Sequence, residues 1–217
     1  MEAKKIYITF VRHGTTIYNE QDRVQGTSDI PLSEKGINEI KNVVLNKKFD
    51  CYYHSPLRRS KETLFDIMKY NKLYSSNILE SNLITERSYG IFEGLTKKEI
   101  AEKHPAIYKN WLTNENVKAP FVESIENVIL RIREFISKMI NININMKNRN
   151  ILAVTHSGFL CALYKYITNS PLGLKPHELD VTFPNCVIVD LQIHIIDYRV
   201  HLTLIVNNKR FEKIINS

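Results

Sequence analysis

The sequence predicts an α/β fold, because one pattern recurs three times along the chain. An apolar run rich in β-branched and aromatic residues ends in small or basic residues and gives way to helical spacing. Ile6 to Val11 runs into Arg12-His13-Gly14, Phe49 to His54 into Ser55-Pro56, and Asn150 to Thr155 into His156-Ser157-Gly158. Open α/β sheets bind ligands at the carboxyl ends of their strands. If the sheet is parallel, the three edges lie on one side and their basic groups converge.

The opening strand makes His13 a candidate nucleophile or base and Arg12 a candidate anion clamp, with Gly14 allowing close approach of backbone and ligand. Standing alone, the dipeptide would read as a strand-end histidine beside a surface arginine. A polar loop from Glu20 to Leu32 follows, then Ser33 as a helix cap, with Ile37, Ile40, Val44 and Leu45 supplying a core face. Gly36 inside that helix calls for a packing or ligand reason.

The second strand, Phe49 to His54, precedes Ser55-Pro56, which reads as an N-cap and N1 proline for a helix through Leu64, Ile67 and Met68. Leu73 to Leu83 is a weaker strand and loop. Glu86 to Gly94 holds two glycines among aromatics and carboxylates and reads as a structured loop. Thr96 and Glu99 form a capping box for a short helix that stops before Pro105, and Trp111 is a packing anchor. Ser124 caps a longer helix carrying Val128, Ile132, Phe135, Ile136 and Met139. The asparagine-biased stretch 141–150 reads as a mobile helix end and loop, with no function assigned. After the third strand, Phe159, Leu160, Leu163, Tyr164 and Ile167 mark a helix. The tail holds two more strands, Cys186 to Leu191 and Val200 to Val206, and a polar C-terminal segment.

With 217 residues, of which 43% are hydrophobic, the chain is expected to form one domain over 1–217. Cys51, Cys161 and Cys186 are widely spaced, which suggests neither a disulfide framework nor a thiolate zinc site and fits a reducing, cytoplasmic setting. The N-terminal apolar run is too short to span a membrane. A net charge of +7 would help draw in a phosphorylated substrate. Its lysines are scattered like solvated helix faces, so no specific nucleic-acid partner is expected.

Two arginines and two histidines around one point would make an anion pocket, most naturally for phosphate, since guanidinium matches phosphate oxygens in bidentate geometry. The ordered series Arg12-His13-Gly14-x-Thr16-x-x-Asn19, Gln25-Gly26-x-x-Asp29-x-Pro31-Leu32-Ser33-x-x-Gly36, Ser55-Pro56-Leu57-x-Arg59, Glu86-Arg87-x-Tyr89-Gly90-x-x-Glu93-Gly94 and Thr155-His156 resembles the histidine phosphatase superfamily, in its phosphoglycerate mutase-like branch. The resemblance runs from the first strand to Pro184-Asn185. It implies a three-layer α/β/α sandwich with a mostly parallel central sheet. It also implies that His13 becomes phosphohistidine, that Arg12, Arg59 and His156 hold the phosphoryl oxygens, that Asn19 lines the same pocket, and that Glu86 gives the leaving oxygen its proton. Thr16, Gln25, Gly26 and Ser157 are further candidate substrate contacts.

Thr15 stands where many relatives carry Glu or Gln, and Ser157 follows the second histidine where glycine is usual; Ser157 is expected to act through its backbone N–H. No metal or other cofactor is expected, since the sequence has no HExxH or clustered carboxylate set. Arg58 reads as a surface residue, and His104, His177, His194 and His201 as surface or packing residues.

Three functions compete. A phosphatase acting on small phosphorylated metabolites, with sugar phosphates or bisphosphates favoured, is preferred over a phosphoglycerate mutase using the same phosphohistidine. The mutases resembled carry a longer, arginine-containing insertion before the helix near Ser124, whereas Thr96 to Val122 here holds lysines and no arginine. A non-catalytic phosphate- or nucleic-acid-binding module is the third reading, and the presence of Glu86 argues against it. Oligomeric state is left open.

Overall fold

The computed structural model describes residues 4–143, 148–197 and 199–216. Strand β1 (Lys4–Arg12) leads into a one-turn helix α1 (Ile17–Glu20) and the two-turn α2 (Glu34–Ile40). Strand β2 (Cys51–His54) precedes α3 (Arg58–Tyr70), and a short β3 (Ile78–Glu80) follows. Helices α4 (Lys97–Lys103), α5 (Pro105–Thr113) and α6 (Ile125–Asn143) come next, then β4 (Asn148–Thr155), α7 (Ser157–Thr168), β5 (Ile188–Ile196), β6 (Arg199–Val206) and β7 (Lys209–Asn216). Residues 144–147, the centre of the asparagine-biased segment expected to be a mobile loop, lie outside the described residues.

Among the described residues the strands form one sheet in the order β3-β2-β4-β1-β5-β6-β7. The first four run parallel, and β5 to β7 attach to β1 as an antiparallel meander. The sheet is therefore mixed, with β1 to β4 and β6 pointing one way and β5 and β7 the other. All three strand ends singled out in the sequence belong to the parallel half.

Alternation along β1 builds the layers. Ile6, Ile8 and Phe10 face α6 and α7, where they meet Val128, Ile132, Phe135 and Phe159, while Val11 faces Ile40, Leu64 and Ile67 of α2 and α3. Helices thus cover both faces, as the three-layer expectation requires. A satellite cluster of Phe92, Ile100, Trp111 and Val117 packs the α4–α5 segment, and Phe92 stacks on Trp111 at 5.0 Å with planes 3° apart. This cluster fixes one wall of the cleft described below.

Ser33 and Thr96 cap their helices as expected, and Pro105 begins α5. Three expectations need correction, and Gly36 gains its reason. Helix α2 stops at Ile40, so Val44 is exposed, Ile37 is only partly covered, and Val43 enters the core instead. The reason for Gly36 is packing, since a Cβ there would lie 2.1 Å from the carbonyl oxygen of Thr15. Helix α3 begins at Arg58 with Leu57 at its N-cap, so Ser55-Pro56 does not cap it. The polar C-terminal segment is a strand, β7, joined to β6 through Asn207 and Asn208, both at positive φ.

Candidate active site

Sheet register brings the distant motifs together. Arg12 stands opposite Thr155 in the β1–β4 ladder, and His13 donates its backbone N–H to the Thr155 carbonyl at 3.0 Å. The His13 and His156 rings lie side by side with centroids 5.1 Å apart, both buried. Pairing of β2 with β4 places His54 opposite Val154 and brings Ser55 to the same edge.

The Nδ1 atom of His13 lies 2.7 Å from the carbonyl oxygen of Gly14, which can only accept. The ring proton therefore sits on Nδ1 and Nε2 keeps its lone pair. Arg59 agrees from the other side, donating from Nε to that Nε2 at 3.3 Å. Burial, then the Arg59 and Arg12 charges, hold the His13 pKa well below the usual imidazole range, against a smaller opposing effect of the Gly14 bond. Burial, the same two arginines, His13 and Arg131 lower that of His156 likewise.

Arg59 is wholly buried, and its remaining nitrogens donate to Ser28 O and Gly26 O, both at 2.7 Å. Those carbonyls belong to a turn held by Glu93, whose carboxylate accepts from the N–H groups of Thr27 and Ser28, each at 2.9 Å, and from that of Tyr89 at 3.0 Å. Arg12 donates from Nη1 to Phe183 O at 2.6 Å, and its buried Nε has no protein partner.

Glu86 is buried beside α7. Its Oε1 accepts the Arg87 N–H at 2.8 Å and its Oε2 the Gly158 N–H at 3.2 Å. A Cβ at position 158 would fall 2.4 Å from Glu86 Oε1, so glycine is what lets the carboxylate reach the helix. Asn185 donates to His13 O at 2.9 Å and to Asn19 Oδ1 at 3.4 Å, which ties the tail to the opening loop.

A cleft of about 1050 Å³ opens over these groups, lined by Arg12, His13, Asn19, Gln25, Gly26 and Glu86, and by Lys97, Lys98, Trp111, Glu115, Lys175 and His177. Arg59 and His156 lie beneath this lining. Among the described residues no group of three or more His, Cys, Asp or Glu side chains is arranged to hold a metal ion, and no helix is long and apolar enough to cross a membrane.

Two of the expected contacts are not part of the cleft lining. Thr16 is fully buried as the N-cap of α1, where it forms a capping box with Asn19, a residue of the cleft lining. Ser157 borders a second cavity of about 30 Å³ that shares Tyr89, Glu115 and Pro176 with the cleft, and the next α7 amide, that of Gly158, donates to Glu86. Arg58 is exposed and paired with Glu62, as expected.

Sequence reasoning missed four contributors. Glu93 stood inside a quoted motif without a role, and Ser55 was read as a cap. Glu115 accepts from buried Arg87 at 3.3 Å and from Trp111 Nε1 at 3.2 Å, and pairs with Lys175 at 3.3 Å; its position carries no local signal. His177, expected on the surface or in packing, lines the cleft together with Lys175.

Comparison with known proteins agrees with this geometry. Residues 8–204 match the histidine phosphatase superfamily (branch 1). A putative phosphoserine phosphatase 2 of Hydrogenobacter thermophilus is 31% identical over 177 residues, covering 79% of this chain and 81% of that protein. A 2,3-bisphosphoglycerate-dependent phosphoglycerate mutase of Buchnera aphidicola is 30% identical over 199 residues, covering 76% and 84%. Among solved structures, YhfR of Bacillus stearothermophilus shares the fold with a TM-score of 0.76 at 22% identity over 94% of this chain and 97% of that one. By family, fold and the order of its motifs, this chain belongs to the histidine phosphatase superfamily, branch 1.

Proposed function

We propose that the protein hydrolyses phosphomonoesters of small metabolites through a phosphohistidine at His13. The observation that carries this reading is the state of that ring. A buried, neutral imidazole with its proton anchored on Gly14 O presents the Nε2 lone pair among cationic groups. That lone pair attacks phosphorus in line with the leaving oxygen, and a neutral nucleophile does so without repulsion from the phosphoryl dianion.

Arg12, Arg59 and His156 stabilise charge spread over the equatorial oxygens. The partnerless Arg12 Nε is one donor an incoming phosphoryl group would satisfy. Glu86, held by two amides, donates a proton to the leaving oxygen and later takes one from the water that attacks phosphohistidine. Such acid–base help supplies roughly 10²–10⁴ in rate. Asn19, Gln25 and Gly26 line the entrance to the phosphoryl pocket.

Hydrolysis is favoured over mutase transfer by the wall of the cleft. Between the Glu86 loop and α6 the chain supplies Lys97 and Lys98 to the lining and no arginine, and Arg87 is buried against Glu115. The names of relatives, which include both phosphoserine phosphatase and phosphoglycerate mutase, support a substrate with a small polar body, with sugar phosphates and phosphorylated hydroxy or amino acids as the class to assay. Measuring phosphate release across that panel beside 3-phosphoglycerate interconversion, with and without a bisphosphoglycerate primer, decides the matter. Phosphate release exceeding interconversion is expected; primer-dependent interconversion outrunning release would make it a mutase.

A further inference from the structure

The second histidine has a partner that the reaction scheme does not use. Ser55 Oγ lies 2.6 Å from His156 Nε2, while His156 Nδ1 is buried with no protein partner. Both residues are fully buried, so their polar atoms depend on partners inside the protein or on a ligand. Among the described residues the only other polar contact of Ser55 Oγ is the N–H of Leu57, which donates to it at 3.3 Å.

Two assignments of the protons are open. If His156 carried its proton on Nε2 and donated to Ser55, the serine hydroxyl hydrogen would be buried without an acceptor, and the Nδ1 lone pair without a donor. If the serine hydroxyl donates to Nε2, Oγ still accepts from Leu57, and one group alone is unmatched: the N–H on Nδ1. One unmatched donor costs less than an unmatched donor and acceptor together, each of which forfeits about 1–3 kcal/mol. A donor is also what a phosphoryl oxygen at His13 requires, whereas a bare lone pair would repel it.

We propose that Ser55 is a positioning residue that sets the tautomer of His156: its hydroxyl donates to Nε2 and keeps the ring proton on Nδ1, where it is given to a phosphoryl oxygen. This assigns a reason to the serine three residues ahead of a helix it does not cap. It rests on the reading of His13 as the phosphoryl acceptor only in its second half; the tautomer itself is a property of the resting protein.

The test is nitrogen NMR on protein labelled in histidine ring ¹⁵N at neutral pH, with the His156 signals assigned by their loss in His156→Gln. The expected spectrum shows a protonated Nδ1 and an unprotonated Nε2 at His156. A protonated Nε2 in the wild-type protein overturns the proposal without recourse to any variant. Ser55→Ala is expected to move the ring toward the Nε2–H tautomer and to weaken inhibition by orthovanadate about tenfold, while Ser55→Thr, which keeps the hydroxyl, restores both. An unchanged His156 tautomer in Ser55→Ala also overturns it. Inorganic phosphate should shift the His156 Nδ1 resonance; if it shifts neither His13 nor His156, the phosphoryl-site reading fails separately from the tautomer assignment.

Discussion

Arg59 donates from Nε to Nε2 of His13 across 3.3 Å, so a guanidinium that cannot accept faces the one ring nitrogen that must not carry a proton. The same guanidinium is fixed by Gly26 O and Ser28 O, which leaves it little freedom to follow a moving ligand. Burial lowers the Arg59 pKa to about 10, still leaving it charged at neutral pH.

Because that geometry uses three nitrogens in a planar fork, Arg59→Lys is not conservative. Lysine keeps the charge but leaves buried carbonyls unmatched, at a cost of about 2–3 kcal/mol, or a Tm lower by roughly 5–10 °C. Turnover is expected to fall about 10²-fold on a sugar phosphate and an aryl phosphate alike, since the charge acts on the phosphoryl oxygens whatever the leaving group. Thermal melts and kcat/KM on both substrates check this; a loss confined to one substrate would refute it.

Glu86→Gln separates proton supply from phosphoryl binding. Gln keeps the shape but offers a single accepting oxygen to the two amides of Arg87 and Gly158, and it gives no proton to an alkoxide; that structural cost falls on both substrates alike. The rate on a sugar phosphate is expected to fall by roughly 10²–10⁴, and that on nitrophenyl phosphate far less, because nitrophenolate departs unaided. Equal losses on the two would remove Glu86 from the role of leaving-group acid.

Glu93 acts at a distance, through the turn whose carbonyls hold Arg59. Glu93→Gln replaces one accepting oxygen with an N–H₂ facing the amides of Thr27, Ser28 and Tyr89. A stability loss of about 1–3 kcal/mol is expected, with kcat/KM down at least tenfold on both substrates. Urea melts paired with kinetics report it, and full activity in a destabilised protein would confine Glu93 to a structural part.

Both buried histidines have folded-state pKa values depressed below those of the unfolded chain. As pH falls past about 6.5 the unfolded chain takes up protons that the folded protein refuses, so stability drops with falling pH and is retained above it. Between pH 6.5 and 5.5 each histidine should remove about 1 kcal/mol. Urea unfolding of wild type and His156→Gln across that interval should show a shallower decline in the variant; matching slopes would contradict the neutral state assigned to His156.

The strand ends carrying Arg12, His13 and His156 were legible because the same strand-then-basic-or-small pattern recurs three times along the chain, and Ser33 and Thr96 were legible because caps act within three residues. Ser55 was misread because Ser-Pro before a helical pattern looks the same whether the hydroxyl bonds the helix or a ring 101 residues away. Val44 misled by spacing, since periodicity does not report where a helix stops. Strand β7 was missed because its outward residues, Arg210, Glu212 and Ile214, mix charge with an exposed apolar side chain, as befits an edge that discourages further pairing. The Asn207-Asn208 turn was the available clue. Glu115 was invisible for want of any local motif, its partners Arg87 and Lys175 being far apart in sequence.

The central claim is that His13 carries the phosphoryl group, and the most direct measurement is to trap it. Protein is mixed with a ³²P-labelled phosphomonoester that it turns over, quenched in alkali within milliseconds, digested and mapped. The account predicts label that is stable in alkali, lost in acid and confined to the peptide containing His13, with both label and turnover absent in His13→Ala. Turnover without any such label, or label that persists in His13→Ala, would contradict it.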